Sequence, residues 1–310
     1  MVYILAILSS PRRNGGTYKL LKYIADTILK NKNVDVELIR LIDYKIGPCK
    51  ACFNCIKDPK HTCILNDDLG KKGKGILYRK ILNCDGFIIA DAVHKWGPTS
   101  LCHLFFERLY PFTWSGFLKG KPLVSISCAS NQGFQVYAMK EICKWAFTSG
   151  LKYIGGLAIH YAYYEEAKEE IEKLGKKLLE ETIRKKREKN KRWTFEKEKN
   201  LWLYYIDKPW SPLEPYIENL TRGSFELEKS IPYEALSKKK FKNKEAINYL
   251  RKTVEHLKKT LEYYKEKNME AAIIELAKVS SYWAHATWKE FVETSIVNIE
   301  IPSIYKPLPD

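Results

Sequence analysis

Residues 2–17 read VYILAILSSPRRNGGT, and this stretch decides the fold. Val2–Leu8 is a continuous apolar run of strand length, Ser9–Gly16 is a turn, and Thr17–Lys30 has the amphipathic spacing of a helix. A buried strand that passes through a glycine-rich turn into a helix is typical of a parallel sheet with helices on both faces. We therefore predict an α/β protein.

Further strand-sized apolar segments follow along the chain, at Val34–Arg40, Gly86–Asp91, Pro122–Cys128 and Tyr153–Ile159. Helical patterns lie between several of them, at Thr99–Tyr110 and Gln135–Gly150. With right-handed crossovers, this alternation predicts a flavodoxin-like, doubly wound sheet of five parallel strands. Because such sheets bind ligands beyond the carboxyl ends of their strands, we expect a site at loops 9–17, 91–99 and 128–135.

The chain changes in character after this sheet region. A long charged helix is predicted at Glu165–Arg187, then an irregular, aromatic-rich segment at 193–242, then helices at 244–267 and 269–292. Helices joined by so short a loop form an antiparallel hairpin. We expect the hairpin and the aromatic segment to pack on the sheet domain or on another chain. The predicted buried stripes of the hairpin are Leu250, Val254, Leu257, Leu261, Tyr264, Ile274, Ala277, Trp283 and Trp288.

Two domains are therefore predicted. The flavodoxin-like domain comprises residues 1–187 and includes a cysteine loop at 47–69, and the mainly α-helical extension comprises residues 188–310. A basic run at 185–192 spans the boundary. It is interpreted as an exposed helix end or linker, with a phosphate-binding patch as the alternative.

Composition narrows the class of protein. The 310 residues include 53 Lys+Arg and 37 Asp+Glu, a net charge of +16, and 45% are hydrophobic, which excludes a disordered chain. The excess positive charge is present in both halves, so a solvated Lys/Glu-rich surface is favoured over nucleic-acid binding. No apolar run reaches the ~18–20 residues of a membrane helix, and the N-terminus lacks the pattern of a signal peptide, so no membrane partner is expected.

The eight cysteines all lie between Cys49 and Cys143. A chain of this length folds without disulfides, so clustered thiols indicate a reducing compartment and metal or redox chemistry. We predict a cytoplasmic location.

The turn after the first strand has the composition of a phosphate-binding loop. A helix N-terminus offers unpaired N–H groups, Gly15 and Gly16 allow close backbone approach, and Ser10, Thr17 and Arg12 supply donors. It matches neither the P-loop pattern nor GxGxxG. The alternative is a tight turn with a threonine cap.

Ser-Pro-Arg followed by Gly-Gly-Thr after a short strand resembles the phosphate loop of the NADPH-dependent FMN reductase superfamily, whose members have the flavodoxin-like fold and bind FMN. Ala90–Arg108 and Ser127–Gln135 resemble the two flavin-side loops of that superfamily. The resemblance covers residues 1–180 and implies flavin contacts from Val93, His94, Trp96, Gly97, Asn131 and Gly133.

The chain departs from that pattern where the superfamily commonly has Pro, Tyr and Lys, at Ala92, His94 and His103. Trp96 is the substitute for the missing stacking side chain, and His94 is the candidate for a role beside the isoalloxazine. No catalytic side chain is otherwise assigned, because the chemistry belongs to the flavin. His160, at the end of the fifth strand, is predicted to be structural.

The cysteine loop has the spacing C-x2-C-x2-C-x7-C, at Cys49, Cys52, Cys55 and Cys63. Several thiolates converging on one point bind a soft metal or a cluster, and four suit either [4Fe–4S] or tetrahedral zinc. Three cysteines in tight succession favour iron–sulfur, while zinc and a metal-free loop remain alternatives. The other cysteines are predicted to be small buried hydrophobic residues: Cys84, Cys102, Cys128 and Cys143.

This cysteine run in an FMN-reductase-like chain resembles the motif of the archaeal-type iron–sulfur flavoproteins. In that family a cluster passes electrons to FMN, and the FMN of one subunit lies near the cluster of another. The resemblance implies that Cys49, Cys52, Cys55 and Cys63 ligate a [4Fe–4S] cluster, and that the protein is a homo-oligomer, a dimer or a tetramer.

The function predicted from these features is that of an iron–sulfur flavoprotein, an FMN-dependent oxidoreductase. It transfers electrons from a donor such as ferredoxin or NAD(P)H to a quinone, an oxygen species or a protein. One alternative is a cluster-free NAD(P)H-dependent FMN or quinone reductase. The other is a basic scaffold that binds nucleic acid or protein on a flavodoxin-like fold.

Overall fold

The computed structural model describes residues 1–188 and 192–309 and divides the chain into two compact units. One consists of Met1–Thr113 and Phe117–Lys191, and the other of Trp114–Gly116 and Arg192–Asp310. Part of the basic run at 185–192 lies outside the described residues, so its interpretation stays a prediction, as does the boundary after residue 187.

The first unit is built on a single sheet of five parallel strands in the order β2-β1-β3-β4-β5. This is the flavodoxin-like order, in which the chain reverses direction across the sheet between β1 and β3. The predicted fold class is confirmed. The strands are β1 (Val2–Leu8), β2 (Val34–Arg40), β3 (Gly86–Ala92), β4 (Pro122–Ala129) and β5 (Lys152–His160).

The helices of this unit are α1 (Gly16–Leu29), α2 (Asn54–Lys57), α3 (Ile76–Asn83), α4 (Ser100–Glu107), α5 (Tyr110–Trp114), α6 (Gln135–Thr148) and α7 (Ala167–Arg187). The single helix predicted at Thr99–Tyr110 is shorter, and a separate helix, α5, follows it. Pro111 prevents a continuous helix because it has no N–H group to bond the carbonyl one turn earlier. Helix α3 was not predicted.

The core of this unit explains why β1 is apolar throughout. Its residues are buried on both faces of the sheet, apart from a half-exposed Tyr3. On one face Ile4 and Leu8 pack in a cluster with Ile24 of α1 and Ile171 of α7. Each such side chain contributes about 1.5–3 kcal/mol by leaving water.

The second unit is helical and corrects the prediction for residues 193–242. That segment is not irregular, because most of it folds into three helices. They pack with the hairpin: α8 contacts the second hairpin helix, and α10 contacts the first. The helices are α8 (Phe195–Tyr204), α9 (Leu213–Thr221), α10 (Ile231–Ser237), α11 (Lys244–Lys265) and α12 (Met269–Thr287), followed by a π-helix at Trp288–Val297.

The buried face of the hairpin differs slightly from the predicted stripes. Leu250, Leu257, Leu261, Ala277 and Trp288 are buried as expected. The remaining predicted members are only half-buried: Val254, Tyr264, Ile274 and Trp283. The face of α12 that packs inward instead centres on Ala272, Ile273, Leu276 and Ser280. Across residues 1–188 and 192–309, the structure contains no helix with both the length and the apolarity needed to cross a bilayer.

Candidate functional site

A cavity of about 370 Å³ opens at the carboxyl ends of the strands, where the fold predicts a ligand. We call it the strand-end cavity. Its lining comes from the loop after β1, the ends of β3 and β4, and the first residue after β5. The lining residues are Ser10, Arg12, Asn14, Gly15, Gly16, Thr17, Ala92, Val93, His94, Cys128, Ser130 and Tyr161.

The loop after β1 presents a helix N-terminus to this cavity. Helix α1 begins at Gly16 and its first turn carries no acidic side chain; in the described part of the chain no side chain caps it. Its first N–H groups and the positive end of its dipole are thus available to an anion. Ser10 and Thr17 are buried beside it, and Arg12 is exposed. The sequence-predicted phosphate cradle has a geometry that fits a phosphate monoester.

The two flavin-side loops are joined by an aromatic stack. The rings of Trp96 and Phe134 lie 4.7 Å apart and 3° from parallel, and Trp96 Nε1 donates to Gln132 Oε1 at 3.0 Å. Lys95 and Trp96 both have positive φ, at 47° and 65°, which indicates a type I′ turn between paired His94 and Gly97. The stack holds the loop after β3 against the loop after β4.

The structure therefore separates the predicted flavin contacts into two groups. Val93 and His94 line the strand-end cavity. Within the described residues, its lining does not include Trp96, Gly97, Asn131 or Gly133, which lie in the adjoining loops.

A buried carboxylate, that of Asp91, joins the loop after β1 to the flavin-side loop after β3 through hydrogen bonds. Asp91, at the end of β3, accepts hydrogen bonds from the Ser9 hydroxyl and from the Thr99 hydroxyl at 2.7 Å. Burial raises the pKa of Asp91 to about 6, despite these hydrogen bonds. Sequence reasoning missed this group, although an acidic residue ending an apolar strand was a visible signal.

The loop after β5 also contributes to the cavity and was missed. His160 Nδ1 accepts the Ala162 N–H at 3.2 Å, so its Nε2 carries the proton and donates to the Asn131 carbonyl at 3.0 Å. This agrees with the predicted structural role of His160. It fixes the backbone that carries Tyr161, whose ring contacts Gly16.

A second cavity, which we call the cysteine cavity, is lined by all four cysteines of the loop at 47–69. Ala51 N–H donates to Cys49 Sγ at 3.4 Å, and Arg108 Nη2 donates to Cys63 Sγ at 3.4 Å. Burial, and then the neighbouring thiols of the set, raise the pKa of the Cys55 thiol to about 12. Thiols that share one site need a bound cation or cluster to stay deprotonated together.

The four thiols could serve more than one kind of metal centre. Among residues 1–188 and 192–309, no three Cys, His, Asp or Glu side chains converge closely enough to ligate one ion. Tetrahedral zinc requires such convergence on a single atom. A cubane offers a separate iron atom to each thiolate. Four thiols that line one cavity are a donor set that suits either a [4Fe–4S] cluster or tetrahedral zinc.

A buried ion pair closes the cysteine loop. Arg108 Nη1 and Nη2 lie 2.6 and 3.1 Å from the Asp67 carboxylate oxygens, and Nη1 also donates to the Gly47 carbonyl. Asp67 accepts the Gly47 N–H at 3.1 Å as well. The two ends of the loop are thus joined at one point, directly after α4. The other cysteines are buried as predicted.

A flavodoxin-like sheet with an anion cradle on a helix N-terminus defines a mononucleotide-binding protein of the flavodoxin-like class. The family model for NADPH-dependent FMN reductase matches residues 2–161, and the chain belongs to this family. The predicted FMN cofactor and FMN-dependent oxidoreductase class are confirmed.

Curated relatives extend the resemblance. An iron-sulfur flavoprotein of Archaeoglobus fulgidus is 31% identical over 37% of this chain, and the match spans only 49% of that protein. An iron-sulfur flavoprotein of Methanosarcina thermophila is 24% identical over 59% of this chain and 92% of its own length. The predicted resemblance to iron–sulfur flavoproteins is confirmed. A solved flavone reductase has a TM-score of 0.44, at 17% identity over 59% of this chain and 63% of its own.

Proposed function

We propose that this protein is an iron–sulfur flavoprotein that moves electrons between FMN and a [4Fe–4S] cluster held by Cys49, Cys52, Cys55 and Cys63. The observation that carries the proposal is that these four side chains line one cavity of the same unit that contains the phosphate cradle. The names of the curated relatives support it. FMN exchanges electrons singly or in pairs, which suits coupling to a one-electron centre.

The strand-end cavity binds FMN in this proposal. The N–H groups of Gly15, Gly16 and Thr17, with Ser10 and Arg12, hold the phosphate. Val93 and His94 border the flavin ring. The remaining predicted residues shape the flavin-side loops but do not line the cavity in the described structure: Trp96, Gly97, Asn131 and Gly133.

The cysteine cavity holds the cluster. N–H donors to ligand sulfurs and an apolar lining are the features by which a protein tunes a cluster's potential. Arg108 and Ala51 are the donors here, and Phe53, Ile64 and Tyr110 are among the lining side chains. Helix α4 leads from the flavin-side loop to this cavity, and its eight residues span about 12 Å. Glu107, the last residue of α4, and the following Arg108 line the cysteine cavity, while Thr99, which precedes α4, is hydrogen-bonded to Asp91 near the end of β3.

The electron donor is a reduced ferredoxin or NAD(P)H. A net charge of +16 favours an acidic protein or a phosphorylated nucleotide as the partner. The proposal includes a homo-oligomeric assembly, a cytoplasmic location and no membrane or nucleic-acid partner.

The test of the cluster is metal analysis of anaerobically purified full-length protein. Wild type should contain FMN with about four irons and matching sulfide per chain. Cys55→Ser should lose most of the iron and keep its FMN, because a hydroxyl is a harder and poorer ligand than a thiolate. Cys84→Ser is the matched control, since Cys84 is buried and donates to the Ile81 carbonyl at 3.3 Å, outside the cysteine cavity.

Other outcomes select the alternatives. A wild-type protein with FMN and no iron would be a cluster-free reductase. Stoichiometric zinc would contradict the cluster. A colourless protein without flavin would contradict the oxidoreductase and favour the binding scaffold.

The phosphate site has its own test. Arg12→Ala should weaken FMN binding by about 1.5–3 kcal/mol through the loss of a charge-assisted bond. Arg13→Ala is the control, because Arg13 is also exposed and is not part of the cavity lining in the described structure. Equal affinity in both variants and wild type would contradict this placement of the phosphate.

A further inference from the structure

We infer that Tyr161 is a specificity-determining residue that closes the phosphate end of the strand-end cavity and restricts it to the mononucleotide FMN against the dinucleotide FAD. The inference rests on the proposed function, because it assumes that this cavity binds flavin. Tyr161 is not one of the residues predicted from the sequence.

The ring of Tyr161 lies against the first residue of α1. A Cβ atom added to Gly16 would be 2.5 Å from both Cδ2 and Cε2 of Tyr161, so the ring occupies the space beside that backbone. Tyr161 and Gly16 both line the strand-end cavity. Tyr161 is 43% exposed, so the residue that lies against Gly16 also contacts solvent.

The position of this ring is fixed by its surroundings. Tyr161 is the first residue of a 3₁₀ turn, Tyr161–Tyr163, and the Tyr164 N–H donates to the Tyr161 carbonyl at 3.2 Å. The preceding His160 is bonded to the loop after β4 through the Asn131 carbonyl. The ring of Tyr164 packs at 5.8 Å between centroids. Hydrogen bonds hold the backbone of Tyr161 and a ring contact holds its side chain, so the ring forms a fixed boundary of the strand-end cavity.

This position of the Tyr161 ring affects which flavin the cavity can accept. FMN ends in a phosphate monoester, which a helix N-terminus can accept as a terminal group. In FAD the same phosphate continues into a second phosphate and an adenosine, which must leave the cradle. We expect a ring against the first turn of α1 to obstruct that continuation, whereas a terminal phosphate needs no such path. Discrimination of this kind depends on a clash with the wrong ligand.

The experiment compares FMN and FAD binding to full-length, flavin-free protein, followed by flavin fluorescence. Wild type should bind FMN more tightly than FAD. Tyr161→Ala should reduce that preference by about tenfold or more, mainly because the variant binds FAD more tightly than wild type does. Tyr161→Phe keeps the ring and should retain the preference. Tyr163→Ala is the control, because Tyr163 is 64% exposed and, in the described structure, does not line the cavity.

An unchanged FMN-to-FAD ratio in Tyr161→Ala would overturn the inference, as would a loss of preference in Tyr161→Phe equal to that in Tyr161→Ala. If Tyr161→Ala does not fold, Tyr161→Leu removes the ring and gives the same comparison. A wild type that binds neither flavin would instead contradict the proposed function, so the two failures are distinguishable.

Discussion

Replacing Arg108 with methionine tests whether a buried charge pair holds the cysteine loop closed. The Arg108 and Asp67 side chains are only 2% and 6% exposed. Removing one partner of a buried pair costs about 3–5 kcal/mol, because the remaining charge is left without compensation. Asp67 would still accept N–H bonds from Gly47 and Leu69. We therefore expect the lower end of that range, about 3 kcal/mol.

Urea denaturation measures this loss, with iron content as a second readout. Arg108→Met should lower the unfolding midpoint of the sheet unit, and the loosened loop should release iron while FMN is retained. Lys22→Met is the control, because Lys22 and Asp26 form a pair whose side chains are 55% and 54% exposed. Such surface pairs add little to stability, so the midpoint should not move measurably.

The double variant Asp67→Leu/Arg108→Met separates the two contributions to this effect. It removes both charges, so it should be more stable than Arg108→Met alone. A loss below about 1 kcal/mol in Arg108→Met, with iron retained, would refute the idea that this pair closes the loop.

Three further predictions concern other parts of the chain. In the folded state the pKa of Asp91 is raised from its ordinary 3.8 to about 6, so the folded protein binds a proton that the unfolded chain releases. The stability of the wild type should therefore fall as pH rises from about 4 to 6. Thermal melts of Asp91→Asn should lack this pH dependence. In the helical unit, burial of Glu275 is outweighed by hydrogen bonds from His256 and Lys278, and its pKa is lowered to about 2. Stability should therefore fall as pH drops below about 4.5, and less so in Glu275→Gln, as denaturant titrations across that range would show. Gly16→Ala should destabilise the protein by about 1–3 kcal/mol, because the added Cβ clashes with the ring of Tyr161. In a double-mutant cycle followed by thermal melting, adding Tyr161→Ala should remove most of that loss. Additive effects of the two substitutions would contradict the contact.

Much of the sheet unit could be predicted because its signals are local. Apolar runs of strand length gave β1 to β5 within a residue or two, and the phosphate cradle is a contiguous motif between Ser10 and Thr17. The helices at 193–242 were missed because prolines and aromatic side chains obscure a helical period in short segments. What stabilises those helices is packing against α11 and α12, which a local pattern does not contain.

The missed parts of the site share a different cause. Asp67 and Arg108 are 41 positions apart, and Asp91 depends on Ser9, 82 positions away. Tyr161 reaches Gly16 although β3 and β4 lie between β1 and β5 in the sheet, because α1 packs across β3 and β4 and against α7, the helix that follows β5. Such pairings follow from topology, and no single stretch of sequence encodes them.

The self-closed form of the cysteine loop has a consequence for how such proteins diversify. The loop hangs between β2 and α3, and both its ends are secured by contacts of Asp67 and Arg108 that involve no metal. We expect a relative that lost the four cysteines to keep a closed loop and an intact phosphate cradle. The proposed cluster would then be separable from the flavin domain, and evolution could add or remove it without a change to the sheet.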